Sequence, residues 1–328
     1  MKPSQATHAL NIALTARRPA FIWGAPGIGK SAVVAQLAAA RKVEMRDIRL
    51  SMLDPVDLKG FPTVNKAKTQ MTWLPADFLP TEGEGILFLD EMNGAAQAVQ
   101  APAYQLVLDR RLGDYVLPDG WDIVAAGNRT TDRSVAHAMP AALANRFVHI
   151  DMEADLDDWC KWALDNDIAP ELVAFMRFRP ALLHDFKPSG DIRTFPSPRS
   201  WEFVNDIRKT NPPRDLEHEL VKGCVGEGAA VEFSGFIRVI ADLPSTDEIL
   251  LSPDTAQMPT TPAALYALTV SLSRKTTAAN FDQLMTYVER MGVDFQVVYV
   301  KDALASCKAI TNTKRYLKWG LANQNVLM

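Results

Sequence analysis

The chain has 328 residues, enough for about two domains at roughly 150 residues each. Its 35 Lys and Arg against 39 Asp and Glu leave a net charge of −4, and 48% of residues are hydrophobic and 23% charged. This balance excludes disorder along the whole chain and does not suggest a polybasic nucleic-acid binder.

No run approaches the ~18 apolar residues that a membrane helix needs. The N-terminal segment carries Arg17-Arg18 after its apolar residues, whereas a secretory signal puts its charge first. Cys160, Cys224 and Cys307 are odd in number and far apart, with no CxxC and no Cys/His cluster. Neither a zinc site nor a disulfide framework is expected, and the cytoplasm is the expected compartment.

In chain order, Pro19–Trp23 reads as a short strand, Lys30–Arg41 as a helix and Val43–Leu50 as a second strand. Phe61–Trp73 has Val64-Asn65-Lys66 between apolar residues and reads as a hairpin. Gly85–Leu89 is a continuous apolar run suited to a strand buried on both faces. Asn93–Asp109 reads as a helix. In Gly113–Trp121 the turn Leu117-Pro118-Asp119-Gly120 predicts a second hairpin that runs into a strand over Trp121–Ala126. Phe147–Ile150 is the last strand. Strands separated by helical patterns predict a parallel sheet with helices on both faces. Beyond about residue 152 helices dominate, as at Leu156–Asp165 and Leu216–Val225. Leu243–Pro262, rich in Pro, Ser, Asp and Thr, reads as a linker to a last helical block, Ala263–Leu321. The expected division is an αβα core over 1–151, a helical lid over 152–243 and a helical C-terminal extension over 244–328.

Two motifs carry chemistry. Gly24-Ala25-Pro26-Gly27-Ile28-Gly29-Lys30-Ser31 fits GxxxxGK[ST] between a strand and a helix. Its glycines let backbone N–H groups curl around phosphate oxygens. Lys30 is expected to reach the β- and γ-phosphates of ATP, and Ser31 to offer its hydroxyl to Mg²⁺. Ile86-Leu87-Phe88-Leu89-Asp90-Glu91 delivers two carboxylates at the end of a buried strand, where α/β sheets bind ligands. Asp90 suits the Mg²⁺ water shell, and Glu91 suits the base that deprotonates the attacking water.

These motifs, followed in order by Ile123-Val124-Ala125-Ala126-Gly127-Asn128 and Leu143-Ala144-Asn145-Arg146-Phe147, resemble an AAA+ ATPase. Asp54-Pro55-Val56-Asp57-Leu58-Lys59-Gly60, Trp73-Leu74-Pro75, Leu106–Gly113 and Gly127-Asn128-Arg129 narrow the resemblance to the MoxR branch, closely over residues 18–150 and loosely to about 243.

The resemblance implies that Asn128 is the sensor beside the γ-phosphate, and that Arg146 is the arginine finger reaching a neighbouring copy's nucleotide. Arg129 and Arg133 stay open as rivals for that contact. Arg199, in Pro198-Arg199-Ser200 at a helix start, matches a second sensor that touches the γ-phosphate in cis. It also implies ATP hydrolysis with Mg²⁺ in a homo-oligomeric ring, most simply a hexamer. Its output would be chaperone-like remodelling, activation, or metal or cofactor insertion, with a von Willebrand factor A domain protein as the usual partner. The hairpin at Phe61–Trp73 then exposes Lys66 and Lys68 at one rim of the ring.

Two alternatives remain open. One is a nucleic-acid-dependent motor, which the net charge of −4 disfavours and which Lys66, Lys68 and the basic residues of 301–318 keep open. The other is a nucleotide-gated scaffold with slow hydrolysis. The five histidines are scattered, and no GxSxG nucleophile elbow occurs.

Overall fold

The apolar runs separated by helical patterns assemble as one parallel sheet. The computed structural model describes residues 1–129, 139–187, 193–241 and 243–323. It divides into two compact units: Met1–Asp155 with Phe186 and Lys187, and Leu156–Asp185 with the described residues from Arg193 onward.

The first unit opens with α1 (Pro3–Thr15), a helix that buries Ala6, Leu10, Ala13 and Leu14 on one face. Then come β1 (Ala20–Trp23), α2 (Lys30–Arg41), β2 (Glu44–Arg49) and α3 (Pro55–Lys59). A hairpin of β3 (Phe61–Val64) and β4 (Met71–Leu74) follows, with Phe61 opposite Leu74 and Val64 opposite Met71. Next are β5 (Gly85–Asp90), α4 (Gln97–Asp109), β6 (Arg111–Leu112), β7 (Tyr115–Val116), β8 (Trp121–Gly127), α5 (Ala141–Ala144) and β9 (Val148–Asp151).

The main sheet has the order β2-β5-β8-β1-β9, and every pairing in it is parallel. Its period-two alternation sorts two cores. Phe21, Leu87, Leu89, Ile123 and Ala125 join α3 and α4 residues on one face. Ile22, Ile86, Phe88, Val124 and Ala126 join α1 and α2 residues on the other. This is the αβα P-loop class expected from the sequence. Because all five strands run the same way, the segments after β1, β5 and β8 emerge at one end of the sheet.

Three local expectations move. α1 is a full helix in a segment for which the sequence predicts no element. Helix α4 begins at Gln97 rather than Asn93, because residues 91–95 form a turn closed by the Gly94 and Ala95 N–H groups on the Glu91 carbonyl. The second hairpin lies at Arg111–Val116, earlier than expected. Pro118-Asp119-Gly120 instead forms the turn that starts β8, with Trp121 N–H donating to the Pro118 carbonyl.

The second unit is helical: α6 (Leu156–Asp165), α7 (Pro170–Phe178), α8 (Pro198–Lys209), α9 (Arg214–Val225), α10 (Glu227–Ile240), α11 (Thr246–Leu251), α12 (Pro262–Arg274), α13 (Phe281–Val288), α14 (Val293–Ser306) and α15 (Lys314–Ala322). Phe175, Trp201 and Phe233 meet edge to face in its interior. Helix α12 packs along both α7 and α14. The partly buried Arg177 of α7 donates to the buried Asp302 of α14 at 2.6 Å. The division expected at 243/244 therefore falls inside this unit, between α10 and α11. No helix of the described residues is long and apolar enough to cross a membrane.

Candidate active site

The Gly24–Ser31 loop joins β1 to α2. Gly27 and Gly29 take φ values of +79° and +90°, a conformation that L side chains rarely adopt. Ile28 is buried in the core and anchors the loop. Gly24 has no space for a side chain: a Cβ there would stand 2.5 Å from Ile28 Cδ1 and 2.9 Å from the Met152 carbonyl oxygen. Lys30 and Ser31 occupy the first turn of α2. Lys30 Nζ donates to the carbonyls of Gly24 (2.7 Å) and Ala25 (3.0 Å) and to Asn128 Oδ1 (2.9 Å). Asn128 follows β8 directly, and this contact joins the end of that strand to the loop lysine.

Asp90 ends β5 and is 9% exposed. Burial raises its pKa above the usual carboxylate value; the Glu91 N–H, which donates to Asp90 Oδ1 at 2.9 Å, and the Lys30 charge oppose this, while the Asp47 and Glu91 carboxylates add to it. Glu91 has φ +54°, a left-handed backbone uncommon outside glycine. Its Oε2 accepts a short hydrogen bond from Ser51 Oγ, just beyond β2. Asp90 is thus engaged next to the lysine and Glu91 next to Ser51, so neighbouring carboxylates have separate surroundings and can take separate roles.

Two residues of this site have no motif to announce them. Ser51 comes beside Glu91 only because β2 pairs with β5, with Arg49 opposite Asp90. Asn93 is 3% exposed, and its Nδ2 donates to the Asn128 carbonyl at 2.8 Å. It fixes the backbone of Asn128 from the turn after β5.

The arginines divide. Arg129 lies 3.5 Å from both Asp151 and Glu153 and donates to the Met152 carbonyl, within its own chain. Arg146 is exposed on the turn between α5 and β9, and its guanidinium has no partner among the described residues. Arg133 lies outside the described residues. Arg199 is exposed in the first turn of α8, in the second unit, where Ser197 caps the helix by accepting from Ser200 N–H. Lys66 and Lys68 are exposed at the β3–β4 turn.

No family model matches the chain. Over 163 residues it is 29% identical to Midasin of Giardia intestinalis, a match that takes in 47% of this chain and 3% of that protein's length. Among solved structures, the Holliday junction branch migration motor RuvB of Thermotoga maritima is 16% identical with a TM-score of 0.39, over 88% of this chain and 87% of that one. NtrX of Brucella abortus in complex with ATP is 14% identical with a TM-score of 0.45, over 91% of this chain and 66% of that one.

Proposed function

We propose that this chain is a MoxR-like AAA+ ATPase that cleaves ATP to ADP and phosphate in a ring of its own copies, hexameric by resemblance. The observation that carries the reading is the gathering of Lys30, Asp90, Glu91 and Asn128, from three separate segments, at one end of the sheet, with Lys30 and Asn128 2.9 Å apart.

The loop fits a polyphosphate. It has a positive-φ glycine on either side of Ile28, no room for a Cβ at Gly24, and a lysine whose carbonyl partners phosphate oxygens can replace. Ser31 and Asp90 would hold Mg²⁺, an oxygen donor set that suits a hard cation. When bound, the cation neutralises charge on the phosphate oxygens. A carboxylate oxygen of Glu91 takes the proton of the attacking water. The water oxygen bonds to the γ-phosphorus as the bond to the β–γ bridging oxygen breaks. The Asn128 amide orients that water without adding charge. Arg146 of a neighbouring copy meets the charge growing on the γ-phosphate, a contribution worth about 10³–10⁵ in rate in related phosphoryl transfers. Its lack of a partner among the described residues, against the three that Arg129 has, supports it over Arg129. Arg199 keeps the second-sensor role that the resemblance implies.

The output is remodelling, activation, or metal or cofactor insertion of a partner protein in the cytoplasm, with a von Willebrand factor A domain protein as the expected partner. The β3–β4 hairpin supports a protein-contacting output, since Phe61, Val64, Met71 and Leu74 are all exposed on it.

Phosphate release and nucleotide affinity, measured together, test the reading. Glu91→Gln is expected to bind ATP like the wild type while release falls about a hundredfold or more. Lys30→Ala is expected to lose binding. Wild-type release by Glu91→Gln would remove the proposal.

A further inference from the structure

His149 forms a connection that the ATPase reading leaves unused. It lies on β9 opposite Phe21 of β1, with its ring stacked on Trp23 at a centroid distance of 6.0 Å and an interplanar angle of 21°. The Trp23 indole N–H donates to His149 Nδ1 at 2.8 Å, which makes Nδ1 the acceptor. The ring hydrogen is therefore on Nε2, and Nε2 donates to the Ala144 carbonyl, also at 2.8 Å. Both of its polar atoms are used, one in each direction.

The two ends of this bridge are informative. Trp23 is the residue before Gly24, and its own carbonyl accepts from Met152 N–H at 2.8 Å, so the root of the phosphate loop is fixed to the strand carrying His149. Ala144 is the last residue of α5. Its carbonyl also accepts from Phe147 N–H at 3.2 Å, while Arg146 N–H donates to the Leu143 carbonyl at 2.9 Å. These bonds close the short turn that displays Arg146. His149 thus holds the carbonyl on which the Arg146 turn closes and takes its own orientation from the residue at the start of the cradle.

We propose that His149 is a positioning residue that ties the Arg146 turn to the root of the same protomer's phosphate loop, and so sets the guanidinium that this protomer offers to the next one. The proposal rests on the ATPase reading above and adds a residue to it. His149 touches neither nucleotide nor water; it acts through Ala144 and Trp23. Its defect therefore appears in the neighbouring protomer's site rather than in its own.

The test uses the full chain and phosphate release. His149→Leu removes both hydrogen bonds, and Trp23→Phe removes the indole donor while keeping an aromatic ring. Each is expected to lower kcat about three- to tenfold, the scale of one modest hydrogen bond, with little change in KM for ATP. The double variant is expected to be no worse than the poorer single one, since both cut the same link. Mixed with Glu91→Gln protomers, which carry an intact Arg146 turn, His149→Leu protomers are expected to exceed the mean rate of the two parent preparations.

Arg146→Ala mixed with Glu91→Gln is the reference. If that mixture gains and the His149→Leu mixture does not, the positioning role is wrong and the ATPase reading stands. If neither gains, sharing of the site between protomers fails and takes the inference with it. Wild-type kcat for His149→Leu, or additive losses in the double variant, also overturns the inference.

Discussion

Replacing Gly127 by alanine probes the close approach of Asn93 and Phe21 beside Asn128. A Cβ at that position would lie 2.1 Å from Asn93 Oδ1, 2.8 Å from Asn93 Cγ and 2.9 Å from Phe21 Cζ. Asn93 is 3% exposed and Phe21 fully buried, so neither side chain has solvent to retreat into. Overpacking of this kind costs about 1–3 kcal/mol, and losing the amide bond from Asn93 to the Asn128 carbonyl about 0.5–1.5 kcal/mol more. The sum, about 1.5–4.5 kcal/mol, corresponds to a fall in melting temperature of roughly 3–18 °C for a unit of this size. Thermal unfolding followed by circular dichroism reads that fall. Because Asn93 holds the backbone of Asn128 rather than the Gly24–Ser31 loop, turnover is expected to drop further than ATP affinity. Adding Asn93→Ala reopens the space and is expected to recover part of the stability without recovering turnover. A Gly127→Ala protein that melts with the wild type and turns over at its rate would refute the close approach and the role given to Asn93.

Other expectations follow from single groups. The folded-state pKa of Asp90 is raised, so its ionisation costs stability as pH rises above the unfolded carboxylate value. Asp90→Asn should therefore raise the melting temperature at neutral pH while abolishing Mg²⁺-dependent turnover, and the gain should vanish in acid below that unfolded value; pH-dependent melting checks both arms. Ser51→Ala frees the Glu91 oxygen that accepts the Ser51 hydroxyl, and should raise basal phosphate release without altering ATP affinity. Asp302→Ala leaves the partly buried Arg177 guanidinium without its carboxylate and should destabilise the helical unit by about 3–5 kcal/mol in denaturant unfolding.

What could be read from the sequence was local. The bounds of α2 and α6 match the expected ranges residue for residue, because glycines or an acidic turn mark their starts. Strand β5 was evident from its unbroken apolar run, and the loop lysine and the two carboxylates from their spacing. The order of the five strands was not legible, since five apolar runs of similar length carry no record of which lies beside which. Ser51 and Asn93 were missed for the same reason: each gains its meaning from a partner 35 or more residues away. Helix α1 was overlooked because Thr7, His8, Asn11 and Thr15 dilute its pattern, although Ala6, Leu10, Ala13 and Leu14 keep one face apolar. The second hairpin was misplaced because Pro-Asp-Gly is a strong turn signal with two uses, and here it starts β8 instead of reversing a hairpin.

The central claim is that one protomer supplies the cradle and another the guanidinium. ATP turnover per protomer, followed through serial dilution beside the assembly state at each concentration, tests it most directly. The account predicts that turnover falls in step with the loss of assembly while each protomer still binds nucleotide. Turnover per protomer that stays constant down to the isolated chain would contradict it.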